Sequence, residues 1–349
     1  MNIVGLKVLV IATSRKTRGG ITSVVKAHET GEQWKKYHCR WIQTHRDGPA
    51  WRKILYFISS LIEYIFLLPF YDIVHIHVAT GLSAKRKKIF LDIAILFGKK
   101  TILHFHPSSE KYLFEDKNKK IFRNLFSRAN LVLVLSEQWK RWIYEALGIS
   151  ENIEVLYNPC PLVTIKPELK EKNILFAGTL IPRKGYEVLI RGFAKIAQKH
   201  KDWKVVFAGN GEIEQAKAIA EECGITLQTK FLGWIDGIEK DITFQKSSVY
   251  CLASTGEGFP MGVLDAWAFG LPCVVTPVGG IPDIVVDGKN GLIFDVGNID
   301  MLAEKLDLII SNESLRKSIS AESLSLAQTT FYIANINKQL GEIYKRFSK

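Results

Sequence analysis

The feature that most constrains the fold is the recurrence of short apolar runs along the 349 residues of the chain. Many are continuous stretches of Val, Ile and Leu, which are typical of parallel strands buried on both faces. Segments with helical periodicity separate them, as at residues 185–200, where Leu189, Phe193 and Ile196 share one stripe. This alternation predicts an α/β fold. The eleven predicted strands are 7–12, 72–77, 101–106, 131–136, 154–158, 173–178, 204–209, 230–233, 249–254, 273–277 and 292–296.

A proline-rich break divides this pattern into two halves. Pro159, Pro161 and Pro167 precede a charged run, which is typical of an interdomain linker. The length also suits two domains of ordinary size. We therefore expect an N-terminal domain at residues 1–158, a linker at 159–172 and a C-terminal domain at 173–330. Residues 331–349 are predicted to form a helix that packs back on the N-terminal domain.

Positive charge is concentrated in the first half of the chain. Residues 1–160 contain 25 Lys and Arg but 13 Asp and Glu, a net charge of +12, whereas residues 161–349 contain 22 of each sign. Such asymmetry favours anionic partners, such as lipid headgroups, phosphates or nucleic acid. Solubility alone is the other interpretation. Nucleic acid is disfavoured because no recognition motif accompanies the charge.

Residues 54–71 form an apolar segment that approaches the length of a membrane span. Glu63 at its centre and Pro69 near its end argue against spanning. We expect a helix packed against a sheet, with one face available to lipid. No cleavable signal peptide is expected, because residues 1–12 contain no small-residue cleavage site. The five cysteines form no CxxC pair and favour a reducing compartment.

Two clusters follow predicted strands of the first domain. Gly19 and Gly20 would let the backbone approach a phosphate at a helix start, although a turn that needs positive φ explains them equally well. The absence of a GxGxxG pattern disfavours a nicotinamide dinucleotide. His106 ends the third predicted strand, where it can contact a sugar hydroxyl or the reacting centre. We expect His104 to face away from it and, like His77, to be structural; a metal site is disfavoured because no acidic residue has a useful spacing.

The second domain begins with a basic turn. Arg183 and Lys184 stand between the predicted strand 173–178 and the next helix. Two cations there suit a diphosphate, since they neutralise the charge that develops on a departing nucleoside diphosphate. The alternative is a solvated basic turn.

A second strand-to-helix turn carries two acids eight positions apart. Glu257 lies in the loop, where its carboxylate can hold sugar hydroxyls, and Asp265 lies about one turn into a helix that begins near Met261. A carboxylate at the second position matches the two hydroxyls of a ribose. The backbone of Gly258, Phe259, Pro260 and Met261 is placed for phosphate or sugar.

Taken together, these motifs resemble glycosyltransferase family 4, the retaining enzymes with the GT-B fold of two Rossmann-like domains facing a cleft. The resemblance covers nearly the whole chain and is densest from 173 to 296. Its motifs there are Arg183-Lys-Gly, Ala208-Gly-Asn-Gly-Glu, Phe231-Leu-Gly-Trp, Glu257-Gly-Phe and the segment 279–291. The first half matches more loosely, through Gly19-Gly20, the segment 72–77, Arg86-Lys87 and His104-Phe-His106.

The resemblance implies a role for each matching residue. Lys184, with Arg183, binds the donor diphosphate; Glu257 contacts the donor sugar; Asp265 holds the ribose. His106 lies near the sugar and Gly20 near the donor phosphates. The catalytic residues would be Glu257, His106 and Lys184, with no metal and no cofactor. The basic first domain would bind the acceptor, and Arg86, Lys87 and Lys88 would contact that acceptor or an anionic membrane.

The function so implied is hexose transfer from a nucleoside diphosphate sugar to a glycan or lipid-linked acceptor, in cell-surface polysaccharide synthesis. Such an enzyme would be cytoplasmic and peripheral at the inner face of the membrane. Two positions depart from the family pattern: Thr179 replaces a frequent arginine, and Asp265 replaces a glutamate. Both bear on donor affinity rather than on the fold. A sugar-nucleotide epimerase on the same fold and a non-catalytic partner subunit remain as alternatives.

Overall fold

The computed structural model describes residues 5–347 and divides the chain into two compact units. Unit 1 comprises Met1–Pro159 and Ile333–Lys349, and unit 2 comprises Cys160–Tyr332. Each unit is built on a six-stranded sheet in which every pair of neighbouring strands is parallel. The strands carry the apolar runs of the sequence, and their buried side chains form the core. The predicted α/β class is therefore confirmed.

The sheet of unit 1 has the order β2-β1-β3-β4-β5-β6. Its strands are β1 Val8–Ala12, β2 Arg40–Gln43, β3 Ile73–Val78, β4 Lys100–Phe105, β5 Leu131–Val134 and β6 Ile153–Val155. The edge strand β2 was not predicted, since its sequence RWIQ contains only two apolar residues, too few for an apolar run. Strand order reverses between β1 and β3, which makes this pair the topological switch point of the sheet.

In the described part of unit 1, seven helices precede the break in the chain. They are α1 Gly20–Glu29, α2 Glu32–Lys36, α3 Ala50–Leu67, α4 Leu82–Leu96, α5 Lys111–Phe114, α6 Asp116–Arg128 and α7 Glu137–Leu147. A 3₁₀ turn, Leu68–Phe70, continues α3. Tyr64 of α3 is buried and bonds through its hydroxyl to the carbonyl of Phe90 in α4 at 2.9 Å. The predicted apolar helix thus packs on the unit by one face.

The sheet of unit 2 has the order β12-β11-β10-β7-β8-β9. Its strands are β7 Asn173–Ala177, β8 Lys204–Ala208, β9 Thr229–Gly233, β10 Val249–Leu252, β11 Cys273–Val275 and β12 Leu292–Ile293. Its helices are α8 Tyr186–Ala194, α9 Ile213–Glu222, α10 Gly237–Lys246, α11 Met261–Ala268, α12 Ile281–Ile284, α13 Ile299–Ser311 and α14 Glu313–Gln328. The helix after Gly185 is shorter than predicted, because the chain continues in turns from residue 195 to 199. Here the switch point lies between β7 and β10.

The last helix, α15 Ile333–Lys345, belongs to unit 1. Its apolar side places Ile336, Leu340 and Tyr344 in the same core cluster as Val10 of β1. Polar contacts also join it to earlier elements; among them, Tyr344 Oη lies 2.6 Å from His75 Nδ1, and Asn337 Oδ1 lies 2.8 Å from His28 Nδ1. The final segment therefore completes the core of unit 1.

Candidate functional site

The switch point of unit 2 brings together the two motifs that the sequence singled out. β7 and β10 are hydrogen-bonded neighbours, and the loops at their carboxyl ends are residues 178–185 and 253–260. In open parallel sheets, ligands bind in the crevice at such carboxyl ends. The basic turn at residues 178–185 and the acidic loop at residues 253–260 therefore lie side by side, where a ligand can bind.

Gly185 fixes how the basic turn meets the acidic loop. It ends a short 3₁₀ turn, Pro182–Lys184, with φ of 71° and starts α8. A Cβ at this position would meet the carbonyl oxygen of Ala253 at 1.9 Å. Only glycine allows both the left-handed backbone and this approach. The turn is thus pressed onto the end of β10, which brings the side chains of Arg183 and Lys184 to the loop.

Glu257 is the centre of the polar cluster at this switch point. Its side chain is buried, and Oε1 lies 2.6 Å from Nζ of Lys184 and 2.7 Å from the hydroxyl of Ser254. The guanidinium of Arg183 lies 3.6 Å from the same oxygen and donates to the carbonyl of Gly256. A charge-assisted bond network of this kind holds one carboxylate oxygen in a defined place.

The segment after β11 supports the Glu257 loop from the other side. Gly279 has φ of 60°, and a Cβ there would meet the carbonyl oxygen of Glu257 at 2.0 Å. The amide of Gly280 donates to the carbonyl of Gly258 at 2.9 Å. Backbone packing therefore fixes the loop on both sides, which explains Gly279, the first glycine of the segment 279–291.

Asp265 lies where the sequence predicted, in the second turn of α11 and buried. Its Oδ2 accepts from Nζ of Lys240, in α10, at 2.7 Å. α11 begins at Met261, and the amides of Val263 and Leu264 in its first turn donate to the carbonyl of Pro260. Pro260 has no N–H, and among residues 258–261 it can contribute only its carbonyl and ring.

Two charged pairs lie at one edge of unit 2, Lys184 with Glu257 and Lys240 with Asp265. The nearby Arg183 does not take the place of the arginine that is frequent at position 179, because its side chain is directed elsewhere. Arg183 points to Gly256 and Glu257, and Thr179 follows Gly178 after the end of β7. The basic turn is consequently not a freely solvated one, because both of its cations contact the acidic loop.

In unit 1, five histidines form one buried group. His75 and His77 lie on β3, His104 lies on β4, His106 follows it, and His28 comes from α1. His77 Nδ1 is 2.9 Å from His106 Nε2. His104 and His106 have ring centroids 4.2 Å apart. The expectation that they face opposite sides is therefore wrong, because residues two apart on a strand share a face.

Burial keeps these imidazoles neutral. It lowers the pKa of His28 to about 4 and that of His106 to about 3. For His75, His77 and His104, burial and the charges of neighbouring rings lower the pKa well below its ordinary value. As neutral rings they carry no charge into the core, and those of His28, His75, His77 and His106 also make side-chain hydrogen bonds.

Nitrogens of His75, His77 and His104 lie within 4.8 Å of one another, close enough to consider a metal. The rings of His75 and His104 are stacked, with an interplanar angle of 14°, and those of His75 and His77 are stacked at 25°. Imidazole nitrogens bind metals in the plane of the ring, so stacked rings point past a shared centre rather than toward it. The expectation of a structural role for His77 and His104 stays the better prediction.

Gly20 and the three basic residues of α4 occupy different settings in unit 1. Gly19, with φ of 135°, precedes α1, and Gly20 is its first residue at the carboxyl side of β1. On α4, Lys88 bonds Asp92 at 2.5 Å, and Arg86 is half-buried. Lys87 is only 3% exposed. Direct contact with an acceptor or a membrane surface is therefore better suited to Arg86 and Lys88 than to Lys87.

Sequence reasoning missed several residues of these clusters. Lys240 pairs with Asp265 from a helix 25 positions earlier, and nothing in the local sequence of α10 marks it. His28 and His75 meet residues of α15 that follow them by 309 and 269 positions. Such partners depend on tertiary packing. Ser254 is different, because it ends the predicted strand 249–254, only three positions before Glu257 in the sequence.

Comparison with known proteins agrees with this architecture. Residues 163–325 match the family model of glycosyl transferases group 1, and residues 5–162 match that of glycosyltransferase family 4. An uncharacterised glycosyltransferase of Haemophilus influenzae is 28% identical over 232 residues, which are 64% of this chain and 65% of that protein. A phosphatidyl-myo-inositol mannosyltransferase of Mycobacterium leprae is 28% identical over 222 residues, which are 61% of this chain and 58% of that protein. The matches thus span less than two thirds of either relative.

A solved structure of similar fold covers the chain more fully. Anabaena Alr3699/HepE, crystallised in complex with UDP-glucose, has a TM-score of 0.77 at 18% identity and covers 98% of this chain and 100% of its own. The prediction of the GT-B fold is thereby confirmed. Since two family models account for consecutive halves of the sequence and the fold agrees with both, the chain belongs to the group 1 glycosyltransferases, family 4.

Proposed function

We propose that this protein is a retaining glycosyltransferase that moves a hexose from a nucleoside diphosphate sugar to a glycan or lipid-linked acceptor. The observation that carries the proposal is the convergence of Lys184, Arg183 and Ser254 on the buried carboxylate of Glu257. A buried ion pair is weak evidence for a stabilising role. Its position at a topological switch point, beside the start of α11, favours a role in binding instead.

In the proposed reaction, the bond between the anomeric carbon and the diphosphate oxygen breaks, and the diphosphate keeps the electron pair. The acceptor hydroxyl bonds to the same face of the anomeric carbon, and its proton passes to the departing diphosphate. Lys184 and Arg183 stabilise the charge that develops on the leaving group. Glu257 accepts hydrogen bonds from sugar hydroxyls and so orients the ring.

Three further groups are assigned to the donor in this proposal. Asp265 accepts hydrogen bonds from the ribose hydroxyls, and Lys240 holds its carboxylate in place at 2.7 Å. The backbone of Gly258, Phe259 and Met261 lies beside the positive end of α11, which favours a phosphate or sugar oxygen there. In unit 1, Gly20 lies at the start of α1, where the first amides of the helix suit a donor phosphate.

His106 is assigned to the sugar rather than to acid catalysis. Burial lowers its pKa to about 3, so at pH 7 the ring is neutral and has no proton to give as an imidazolium. A neutral ring held by His77 can exchange one hydrogen bond with a sugar hydroxyl.

The acceptor is assigned to unit 1, and lipid-linked or anionic glycans are the favoured class, in cell-surface polysaccharide synthesis. Support comes from the net charge of +12 on residues 1–160, which attracts anions. One relative is named for its action on phosphatidyl-myo-inositol, an anionic lipid.

Helix α3 supports a peripheral membrane location at the cytoplasmic face. Among the described residues, Ala50–Phe70 is the one helix whose length and composition would suit a span, a test that core helices also pass. Tyr64 and Ser60 anchor one face, while an apolar stripe stays exposed, a pattern that suits lying in the interface. The exposed apolar side chains are Trp51, Ile54, Leu55, Ile58, Ile62, Ile65, Phe66 and Phe70.

A donor screen tests the proposal directly. Nucleoside diphosphates and their sugars are compared by thermal shift, starting with UDP-glucose, the ligand of HepE; a bound donor raises the melting temperature by mass action. Glu257→Ala should abolish transfer, whereas Glu221→Ala, an exposed acid of α9, should not. Near-normal turnover by Glu257→Ala would refute the site.

The same screen separates the alternatives. Conversion of the donor to an altered hexose without any acceptor would identify an epimerase. Absence of stabilisation by every nucleoside diphosphate would favour a non-catalytic subunit.

A further inference from the structure

Lys87 of α4 is a buried amine with no acidic partner among the residues that the structure describes. Its side chain is 3% exposed, and Nζ donates to the hydroxyl of Thr44 at 2.5 Å. The phenyl ring of Phe90 lies 5.5 Å away. Within residues 5–347, no carboxylate contacts the ammonium. An ammonium removed from water without a counter-ion costs several kcal/mol, and burial, together with the charge of Arg86, lowers the pKa of Lys87 well below its ordinary value. An anion that reached this position would stabilise the charged form of the amine.

Arg86 adds a second cation close to Lys87, whose pKa its charge lowers. Arg86 places Nη1 3.4 Å from Nδ1 of His45. Of the acids that the structure describes, the one in contact with the group is Asp47, whose carboxylate is 64% exposed and lies 3.7 Å from Nε2 of His45. After burial, the charge of Arg86 is the main cause that lowers the pKa of His45, and Lys53 and Lys87 add to it. The electrostatic potential at this cluster is therefore positive and is only partly offset.

The cluster lies at the carboxyl edge of the parallel sheet of unit 1. Thr44 and His45 directly follow β2, and the amide of Thr44 donates to the carbonyl of Ala12, the last residue of β1. The carbonyl of His45 accepts from the amide of Ser14 at 2.7 Å and from the hydroxyl of Thr17 at 3.1 Å. This edge is where parallel α/β sheets bind ligands, and the loop after β1 leads to Gly19 and Gly20.

We propose that Arg86, Lys87 and His45 form an anion site that receives a phosphate group of the acceptor. Arg86 and His45 are partly exposed and can meet the phosphate from solvent, and Lys87 lies behind them as its buried counter-charge. Guanidinium and ammonium groups are the common phosphate ligands of proteins. The assignment of the phosphate to an acceptor rests on the glycosyltransferase function proposed above.

Lys87→Met is the decisive variant, because methionine keeps the apolar stem and removes the charge. Without phosphate, Lys87→Met should melt at a higher temperature than the unaltered protein, since an apolar side chain replaces a buried amine that has no anionic partner. Saturating inorganic phosphate, at ionic strength matched with KCl, should raise the melting temperature of the unaltered protein by about 5 °C. The same addition should leave Lys87→Met unchanged and should have less than half its effect on Arg86→Gln.

Lys85→Gln serves as the matched control. Lys85 is an exposed cation one position before Arg86 on the same helix, and its variant should respond to phosphate like the unaltered protein. Lys184→Met tests whether the phosphate binds to unit 2 instead. If phosphate stabilisation disappears in Lys184→Met and persists in Lys87→Met, the proposal is overturned. It is also overturned if the unaltered protein gains no stability from phosphate.

Two further probes identify the source of the phosphate and distinguish this site from the donor site. Glycerol 3-phosphate represents a soluble acceptor, and phosphatidylglycerol vesicles represent a lipid headgroup; the source is the probe whose binding Lys87→Met weakens at least tenfold. If neither probe is weakened, the acceptor assignment fails. If phosphate raises the melting temperature as expected but no nucleoside diphosphate does, the proposed function is wrong and the anion site still stands.

Discussion

Lys184 donates a hydrogen bond of 2.6 Å to Oε1 of Glu257, 73 positions later in the chain. The residue proposed to bind the diphosphate and the residue proposed to bind the sugar are therefore hydrogen-bonded to each other. Lys184→Met should therefore lower kcat/KM for the donor by at least 100-fold, because one variant removes both a charge on the leaving group and the partner of Glu257. Steady-state kinetics measures this, with Lys195→Met, an exposed cation of unit 2, as the control. A change of less than threefold would contradict the assignment.

Asp265 should act on donor binding more than on chemistry. Asp265→Asn removes a charged acceptor from the ribose, and loss of such a bond costs about 1.5–3 kcal/mol, or roughly 10- to 150-fold in donor KM. Because the ribose does not react, kcat should change little. Lys240→Met should shift KM in the same direction by less. Asp241→Asn, an exposed acid of α10, should behave like the unaltered protein; an equal fall in kcat for Asp265→Asn would place it at the reacting centre instead.

Gly279→Ala should damage both stability and donor binding. The new Cβ would meet the carbonyl of Glu257 at 2.0 Å and would also bear a φ of 60°. Gly288→Ala is a matched control, since φ there is 75° and nothing lies within 4 Å. Both variants carry the left-handed strain of about 1–2 kcal/mol, so the difference between them isolates the contact. Urea unfolding and donor titration should show a larger loss for Gly279→Ala, and equal losses would mean that the loop adapts freely.

The buried histidines predict a stability that falls in mild acid. Burial lowers the pKa of His28 to about 4 and that of His106 to about 3, whereas an unfolded histidine titrates near 6.5. The unfolded chain therefore binds more protons below pH 6.5, and the stability present above that pH is lost as pH falls from about 6.5 toward 4. For every pH unit that separates the folded and unfolded pKa of a histidine, the loss amounts to about 1.4 kcal/mol.

Hydrogen exchange of β3 and β4 amides between pH 7 and 5, corrected for the intrinsic rate, measures this loss. His28→Gln should flatten the pH dependence, and His38→Asn, an exposed histidine with φ of 43°, should leave it unchanged. Protection that is constant over this range would show that the histidines titrate normally.

The exposed stripe of α3 predicts binding to anionic vesicles. Ile62→Glu combined with Phe66→Glu replaces two exposed apolar side chains, each of which contributes about 2 kcal/mol when buried in an apolar phase. Sedimentation with vesicles should fall at least tenfold. Leu227→Glu, at an exposed apolar residue of unit 2, should have no effect. Equal binding to neutral and anionic vesicles at low salt would contradict the electrostatic part of the proposal.

The sequence predicted the fold well wherever a signal was local. Continuous apolar runs identified eleven of the twelve strands that the structure describes, and the missing one, β2, is an edge strand with only Trp41 and Ile42 buried. The glycine-bounded turns located Lys184 and Glu257. Contacts that depend on tertiary packing could not be predicted from the sequence, such as those of Lys240 with Asp265 and of Thr44 with Lys87. The error over His104 came from misassigning a strand face, not from missing information.

The place of α15 in unit 1 has a consequence for biosynthesis. A ribosome delivers β1 to β6 first and the whole of unit 2 next, and only then the helix that carries Asn337 and Tyr344. Until then, His28 lacks its hydrogen bond to Asn337, His75 lacks its hydrogen bond to Tyr344, and the apolar side chains of β1 lack their contacts with α15. During synthesis, the core of unit 1 therefore stays incomplete until unit 2 has been made and α15 has left the ribosome.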